Sequence, residues 1–157
     1  MLRMTKQADY AIVLLTRMAN TPELRFNATE IASATGLPQP IVSKILKLLT
    51  RQEILTSHRG AKGGYLLARS TDEISIAQII EAVEGPIGIT ECVDDTPGAC
   101  SQEPICPVRS NWQRINEAVR QALGQITLDE MGQPLSPVLV TLGSGSSESR
   151  RTDHAHQ

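Results

Sequence analysis

The sequence predicts a mainly α-helical fold that carries a single two-stranded β-hairpin and ends in a long helix. Three observations lead there. Apolar residues recur at helical spacing in several stretches punctuated by capping residues, Gly and Pro. Two short β-rich runs flank a Gly-rich tip, which is the pattern of a hairpin. With one Phe, one Trp and two Tyr among 157 residues, the core must be built from Ile, Leu, Val, Ala and Met.

The first helix is expected from Thr5 to about Asn20. Thr5 can cap it, and Ala8, Ala11, Ile12, Leu15 and Ala19 share one face. Thr21-Pro22 stops it. Asn27-Ala-Thr-Glu30 places an N-cap oxygen three residues before a Glu, the arrangement of a capping box, and opens a short helix to Ala34. Thr35-Gly36-Leu37-Pro38 forms a tight turn in which Gly36 can take positive φ. A third helix runs from about Gln39 to Gln52, with Pro40 in its first turn, where a missing N–H costs nothing. The β-rich runs are Ile54–His58 and Tyr65–Arg69, joined by Arg59-Gly-Ala-Lys-Gly-Gly64. Ser75 caps a helix over Ile76–Glu84, which Gly85-Pro86 ends. A loop rich in Gly, Pro, Asp and Cys follows to residue 107. A long helix is expected over Val108–Ile126, with one further turn at Leu128–Met131. Past residue 132 the composition turns to Pro, Ser, Gly and charge, too polar to offset its ordering entropy, and disorder is expected.

Residues 29–49 carry the most specific pattern. Two helices crossing steeply need a small residue at their close approach, a glycine in the turn and aliphatic side chains at fixed offsets. Ala32, Gly36, and then Ile31, Leu37, Val42 and Ile45 meet those needs. The opposite face of the third helix presents Gln39, Ser43, Lys44 and Lys47, which suit base edges and phosphates of a DNA major groove. The hairpin that follows, with Arg59, Gly60 and Lys62 at its tip, fits a wing lying against the DNA backbone or minor groove. The expected fold is therefore a winged helix-turn-helix. A phosphate-binding loop is excluded at Gly60–Gly64, because such a loop runs from strand into helix and ends in Lys-Ser/Thr, whereas Tyr-Leu-Leu-Ala continues here as a strand.

Charge agrees with that reading. Residues 1–70 hold ten Lys/Arg against four Asp/Glu, and the remainder holds five against thirteen, so a net charge of −2 conceals a basic N-terminal half. No Ser/His/Asp set, phosphate loop or HExxH pairing points to an enzyme. No apolar run approaches the roughly 20 residues of a membrane span. The opening residues lack an apolar stretch ending in a cleavage site, and a cytoplasmic protein is expected.

Cys92, Cys100 and Cys106 fall within fifteen residues, in the pattern C-x7-C-x5-C. An odd count argues against a disulfide framework. Their surroundings (Asp94, Asp95, Pro97, Gly98, Ser101 and Pro104) are polar and turn-forming, unlike those of buried structural cysteines. Such thiolates suit a soft metal, iron–sulfur before zinc, since zinc ribbons favour paired C-x2–4-C ligands; a thiol redox switch stays open. Three thiolates leave a position for a fourth ligand. A carboxylate or a group from a partner subunit can fill it, and Asp9 is the first candidate, with Glu91 and Glu103 behind it. His154 and His156 lie in the polar tail, and His58 in the wing suits a phosphate contact or plain exposure.

Val108, Trp112, Ile115, Val119, Ala122 and Ile126 are spaced 4-3-4-3-4 along the long helix, a short heptad seam suited to a homodimer interface. A two-fold dimer would set two recognition helices roughly 34 Å apart and imply a palindromic operator. The expected division is a DNA-binding unit over 1–72, a connecting helix and cysteine loop over 73–107, a dimerisation helix over 108–131 and a tail over 132–157.

Taken together, Met4-Thr-Lys-Gln-Ala-Asp-Tyr-Ala11, Glu30-Ile-Ala32, Val42-Ser-Lys-Ile-Leu-Lys-Leu-Leu49, Arg59-Gly-x-x-Gly-Gly-Tyr-Leu-Leu67 and the cysteine loop resemble transcription regulators of the IscR/NsrR type. The resemblance covers residues 1–131 and is nearest to regulators of iron–sulfur assembly operons. It implies a homodimeric DNA-binding repressor or activator with an iron–sulfur cluster on Cys92, Cys100 and Cys106, [2Fe–2S] in preference to [4Fe–4S]. Assembly-type members place a His three residues after the last cysteine, where this chain has Arg109, and their first cysteine gap is shorter. The nitric-oxide-sensing branch takes an N-terminal carboxylate from the other subunit, a place that Asp9 matches.

Overall fold

A computed structural model describes residues 3–60, 63–90 and 106–133. Cys92, Cys100, Lys62, Glu91, Glu103 and the tail from residue 134, with His154 and His156, lie outside the described residues.

Helix α1 spans Lys6–Ala19, and the Thr5 side chain accepts from the Ala8 N–H at 3.1 Å, so the expected cap is formed. Helix α2, Ala28–Thr35, opens with the full capping box: Asn27 Oδ1 accepts from Glu30 N at 2.9 Å while Glu30 Oε2 accepts from Asn27 N at 2.9 Å. Gly36 ends it at φ +70°, a left-handed conformation that a Cβ would strain. Helix α3 is Gln39–Arg51, and its buried face is Val42, Ile45, Leu46 and Leu49. Its C-terminus turns through Glu53, a non-glycine at φ +56°, and the Ile54 N–H reaches back to the Leu49 carbonyl at 3.0 Å. That is a Schellman turn, and it delivers the chain straight into the first strand.

Strands β1 (Leu55–His58) and β2 (Gly64–Leu67) pair antiparallel, Leu55 with Leu67 and His58 with Gly64. A bridge between Phe26 and Tyr65 adds the α1–α2 connection as a third strand-like element, with Tyr65 N to Phe26 O at 2.9 Å and Phe26 N to Tyr65 O at 3.1 Å. The backbones meet there only because residue 64 is Gly: a Cβ would sit 2.9 Å from the Phe26 carbonyl oxygen. A 3-10 turn over Thr71–Glu73 leads to α4, Ile76–Glu84, capped by Ser75.

Helix α5 covers Arg109–Gln125 and α6 Leu128–Gly132. A bridge between Ser75 and Thr127 locks their junction to the start of α4, through Ile76 N to Ile126 O at 2.9 Å and Leu128 N to Ile74 O at 2.8 Å. One hydrophobic cluster unites α1, α3, α4 and the strands, and Leu128 of α6 is fully buried in it. Among the described residues no helix is long and apolar enough to cross a membrane. Each expected helix and both strands are present within a residue or two of their expected ends.

Candidate nucleic-acid interface and cysteine site

Helix α3 is amphipathic because its apolar positions, 42, 45, 46 and 49, repeat at three- and four-residue intervals. At about 3.6 residues per turn, the stripe diametrically opposite runs through Pro40, Lys44, Lys47 and Arg51, all exposed. Ser43 flanks it on one side and is half-buried; Ile41 flanks it on the other and is 38% exposed. Gln39 is exposed, and its amide donates to Thr29 Oγ1 at 2.9 Å, so it also ties the start of α3 to α2. Pro40, Ile41 and Arg51 belong to this surface although they were not singled out from the sequence. The signal available was helical phase, which puts them beside Lys44 and Lys47.

At the wing, Arg59 and Gly60 are exposed at the end of β1. Gly63 N donates to Gly60 O at 2.9 Å, closing the turn, and Gly60 holds φ +107°. A Cβ on Gly63 would collide with the His58 carbonyl oxygen. His58 is exposed at the strand end. Helix α3 and the hairpin are consecutive in the chain and joined by the Glu53 turn.

The described residues that flank Cys92 and Cys100 in the sequence both adjoin α5. On the entering side, Asn116 Nδ2 donates to the Ile87 carbonyl at 2.8 Å while its Oδ1 accepts from the Ile89 N–H at 3.0 Å. On the leaving side, Cys106 is half-buried with a free thiol, and its carbonyl accepts from Arg109 N at 3.4 Å in the first turn of α5. Asn116 was not legible as a functional residue, because an Asn inside a helix carries no pattern. Among the described residues no three His, Cys, Asp or Glu side chains come together.

Asp9 is exposed in the first turn of α1. The same end of α1 reaches α4: Thr5 Oγ1 donates to Glu84 Oε1 at 2.6 Å, and Gln7 Nε2 donates to the Val83 carbonyl at 2.6 Å. Glu84 immediately precedes the loop that Asn116 clamps. The helix bearing Asp9 is thus fixed beside the entrance to its own cysteine segment.

The seam residues of α5 divide. Val108, Trp112, Ile115 and Ile126 are exposed by 38–45% and Ala122 is exposed, although four of the five are large and apolar. Val119 is half-buried and, with Ile80 and Leu123, lines a cavity of about 330 Å³ between α5 and the rest of the subunit. The inner face of α5 is otherwise polar. Besides Asn116, Arg120 Nε donates to Glu81 Oε1 at 2.8 Å, a contact that holds the Arg120 guanidinium more firmly in its charged form. No residue of α5 is fully buried.

Among known proteins, the model of the Rrf2 family, described as iron-dependent transcriptional regulators, matches residues 4–134. The HTH-type transcriptional regulator IscR of Xenorhabdus nematophila is 26% identical over 152 residues, 96% of this chain and 91% of that protein. The HTH-type transcriptional regulator NsrR of Oceanobacillus iheyensis is 27% identical over 144 residues, 90% of this chain and 97% of its own. Among solved structures, CymR, the global cysteine regulator of B. subtilis, aligns with a TM-score of 0.64 at 28% identity, covering 84% of this chain and 97% of that one.

Proposed function

The chain belongs to the Rrf2 family of iron-dependent transcriptional regulators, and on that premise we propose that it is a homodimer whose hold on a palindromic operator follows the state of an iron–sulfur cluster. That it is a DNA-binding regulator of the IscR/NsrR type accords with its matches to IscR and NsrR and with the winged-helix fold. The chain binds and releases DNA and catalyses nothing; its place is the cytoplasm, with the chromosome.

The observation that carries the DNA reading is the exposed cationic stripe of α3 continuing into a glycine-tipped wing. In this arrangement α3 enters the major groove, Ser43 and Gln39 address base edges, Lys44 and Lys47 neutralise phosphates, and Arg59, Gly60 and Lys62 bring the wing to the backbone or minor groove. Residues 1–72 form the DNA-binding unit, 73–107 the connection and cysteine loop, 108–131 the dimer helix and 132–157 the tail. The exposed residues Val108, Trp112, Ile115 and Ile126 supply the contact between subunits.

The donor set fits an iron–sulfur cluster: three thiols within fifteen residues, one of them, Cys106, free and half-buried at the head of α5. Cys92, Cys100 and Cys106 would hold it, as [2Fe–2S] in preference to [4Fe–4S]. When bound, such a group supplies a centre that cluster scarcity, oxidants or nitric oxide can alter. The chain contributes the positioning, since Asn116 and the Cys106–Arg109 turn fix both ends of the segment on α5, whose outer face makes the dimer. The genes controlled are then those of iron–sulfur assembly. A second reading, a nitric-oxide sensor, is favoured by Arg109 standing where assembly-type regulators have His and by the exposed carboxylate of Asp9 on α1.

Operator titrations at several salt concentrations test the DNA reading. Arg59→Ala is expected to weaken binding by about 1–3 kcal/mol with loss of sequence preference. Lys47→Ala is expected to weaken binding evenly and to lower the salt slope by about 1. Unchanged affinity in both variants would remove DNA from this face.

A further inference from the structure

Two adjacent apolar side chains stand on the surface of α3 that the preceding reading assigns to the major groove. Pro40 opens the outward stripe, one turn ahead of Lys44 and two ahead of Lys47. Ile41 flanks it and keeps 38% of its surface exposed. Neither is needed by the core, which α3 already serves with Val42, Ile45, Leu46 and Leu49. Both occupy the first helical turn, the part of a recognition helix that comes nearest to base edges. Neither side chain can donate or accept a hydrogen bond, and Pro40 has no backbone N–H either.

We infer that Pro40 and Ile41 read the C5-methyl groups of thymines in the operator half-site. The inference rests on the DNA-binding reading and deepens it by naming what the first turn recognises. The neighbouring charges select the partner: an apolar pair followed along the same face by Lys44 and Lys47 complements a surface in which methyl groups lie beside phosphates. In the major groove, thymine alone presents an apolar group to be matched in this way. Polar neighbours at one edge, Gln39 and Ser43, leave the methyl contact to the other edge of the same turn.

The test removes methyl groups without touching any hydrogen-bonding atom. The full-length protein first selects its site from a random DNA pool. Each thymine of the selected site is then replaced singly by deoxyuridine, and affinity is measured by fluorescence anisotropy. For the wild type, a loss of about 4-fold is expected at one or two positions in each half-site, the value of one buried methyl group. In Pro40→Ser and in Ile41→Ala, whose folding is verified by circular dichroism, the loss at the position each contacts is expected to vanish while losses elsewhere stay. Wild-type affinity that no deoxyuridine changes overturns the inference, as does a methyl effect that persists undiminished in both variants. A pool that yields no retained DNA overturns the DNA-binding reading itself, and this inference with it.

Discussion

Asn116 holds Ile89 in place: its Oδ1 accepts from the Ile89 N–H at 3.0 Å, and its Nδ2 donates to the carbonyl of Ile87 two residues earlier at 2.8 Å. One amide thus closes both hydrogen bonds of a backbone edge that pairs with no strand among the described residues. Ile89 stands three residues before Cys92. Asn116→Ala is expected to cost about 1–2 kcal/mol in urea unfolding, from two lost bonds at a half-buried site. Asn116→Asp is expected to cost at least as much, because a carboxylate oxygen replaces the donor facing the Ile87 carbonyl. Stability equal to wild type in both variants would show that the loop is held by other contacts.

The wing depends on a backbone approach that only glycine permits. Gly64 sits at φ +148°, and a Cβ there meets the Phe26 carbonyl oxygen at 2.9 Å. Gly64→Ala is expected to push Phe26 away, break the Phe26–Tyr65 bridge and destabilise the fold by about 1–3 kcal/mol. Operator affinity should fall with it, since Arg59 is carried by the same hairpin. Unfolding and anisotropy measured on one preparation check both effects.

Val119 is half-buried and lines the cavity that Ile80 and Leu123 also line, so a charge placed there would bear on the monomer as well as on the interface. Ile115 is 44% exposed in the single subunit and belongs to the same seam. Ile115→Asp is expected to leave monomer helicity intact and to convert the dimer to monomer, because pairing would bury an unpartnered carboxylate at a cost of several kcal/mol. Sedimentation velocity reads the outcome. A variant that remains dimeric places the interface elsewhere.

For the cysteine site, each of Cys92→Ala, Cys100→Ala and Cys106→Ala is expected to abolish visible charge-transfer absorption in anaerobically purified protein. Asp9→Ala is expected to retain the absorption at first and lose it several-fold faster in air, since three thiolates still hold the group. Decay no faster than wild type would exclude Asp9 and direct attention to Glu91 and Glu103. Colourless wild-type protein with stoichiometric zinc would contradict the iron–sulfur reading while leaving DNA binding standing.

What was legible in the sequence was local. Thr5, Asn27, Ser75 and Gly36 marked helix ends because capping is settled within three or four residues. The helix-turn-helix followed from aliphatic spacing for the same reason. Pairings across long separations were not legible: Phe26 with Tyr65 and Ser75 with Thr127 form because packing of the helices brings their backbones together. The heptad seam of α5 was visible, but its docking to the subunit was not. That docking relies on Asn116 and on the Arg120–Glu81 pair, polar groups that look like ordinary solvated positions until α4 and the Ile87–Ile89 backbone are set opposite them. Pro40 and Ile41 are hard to read for a related reason: a Pro in a first helical turn reads as a helix start, and one apolar residue next to the core-facing Val42 reads as core.

The central claim is that occupancy of the cysteine site controls the DNA-binding face, and one titration addresses it directly. Selected operator DNA is titrated against anaerobically purified protein, before and after its iron and sulfide are removed, with both contents assayed. The account predicts affinities at least about 10-fold apart, a coupling near 1.4 kcal/mol. Equal affinities in protein shown to have carried the cluster and lost it would contradict the account.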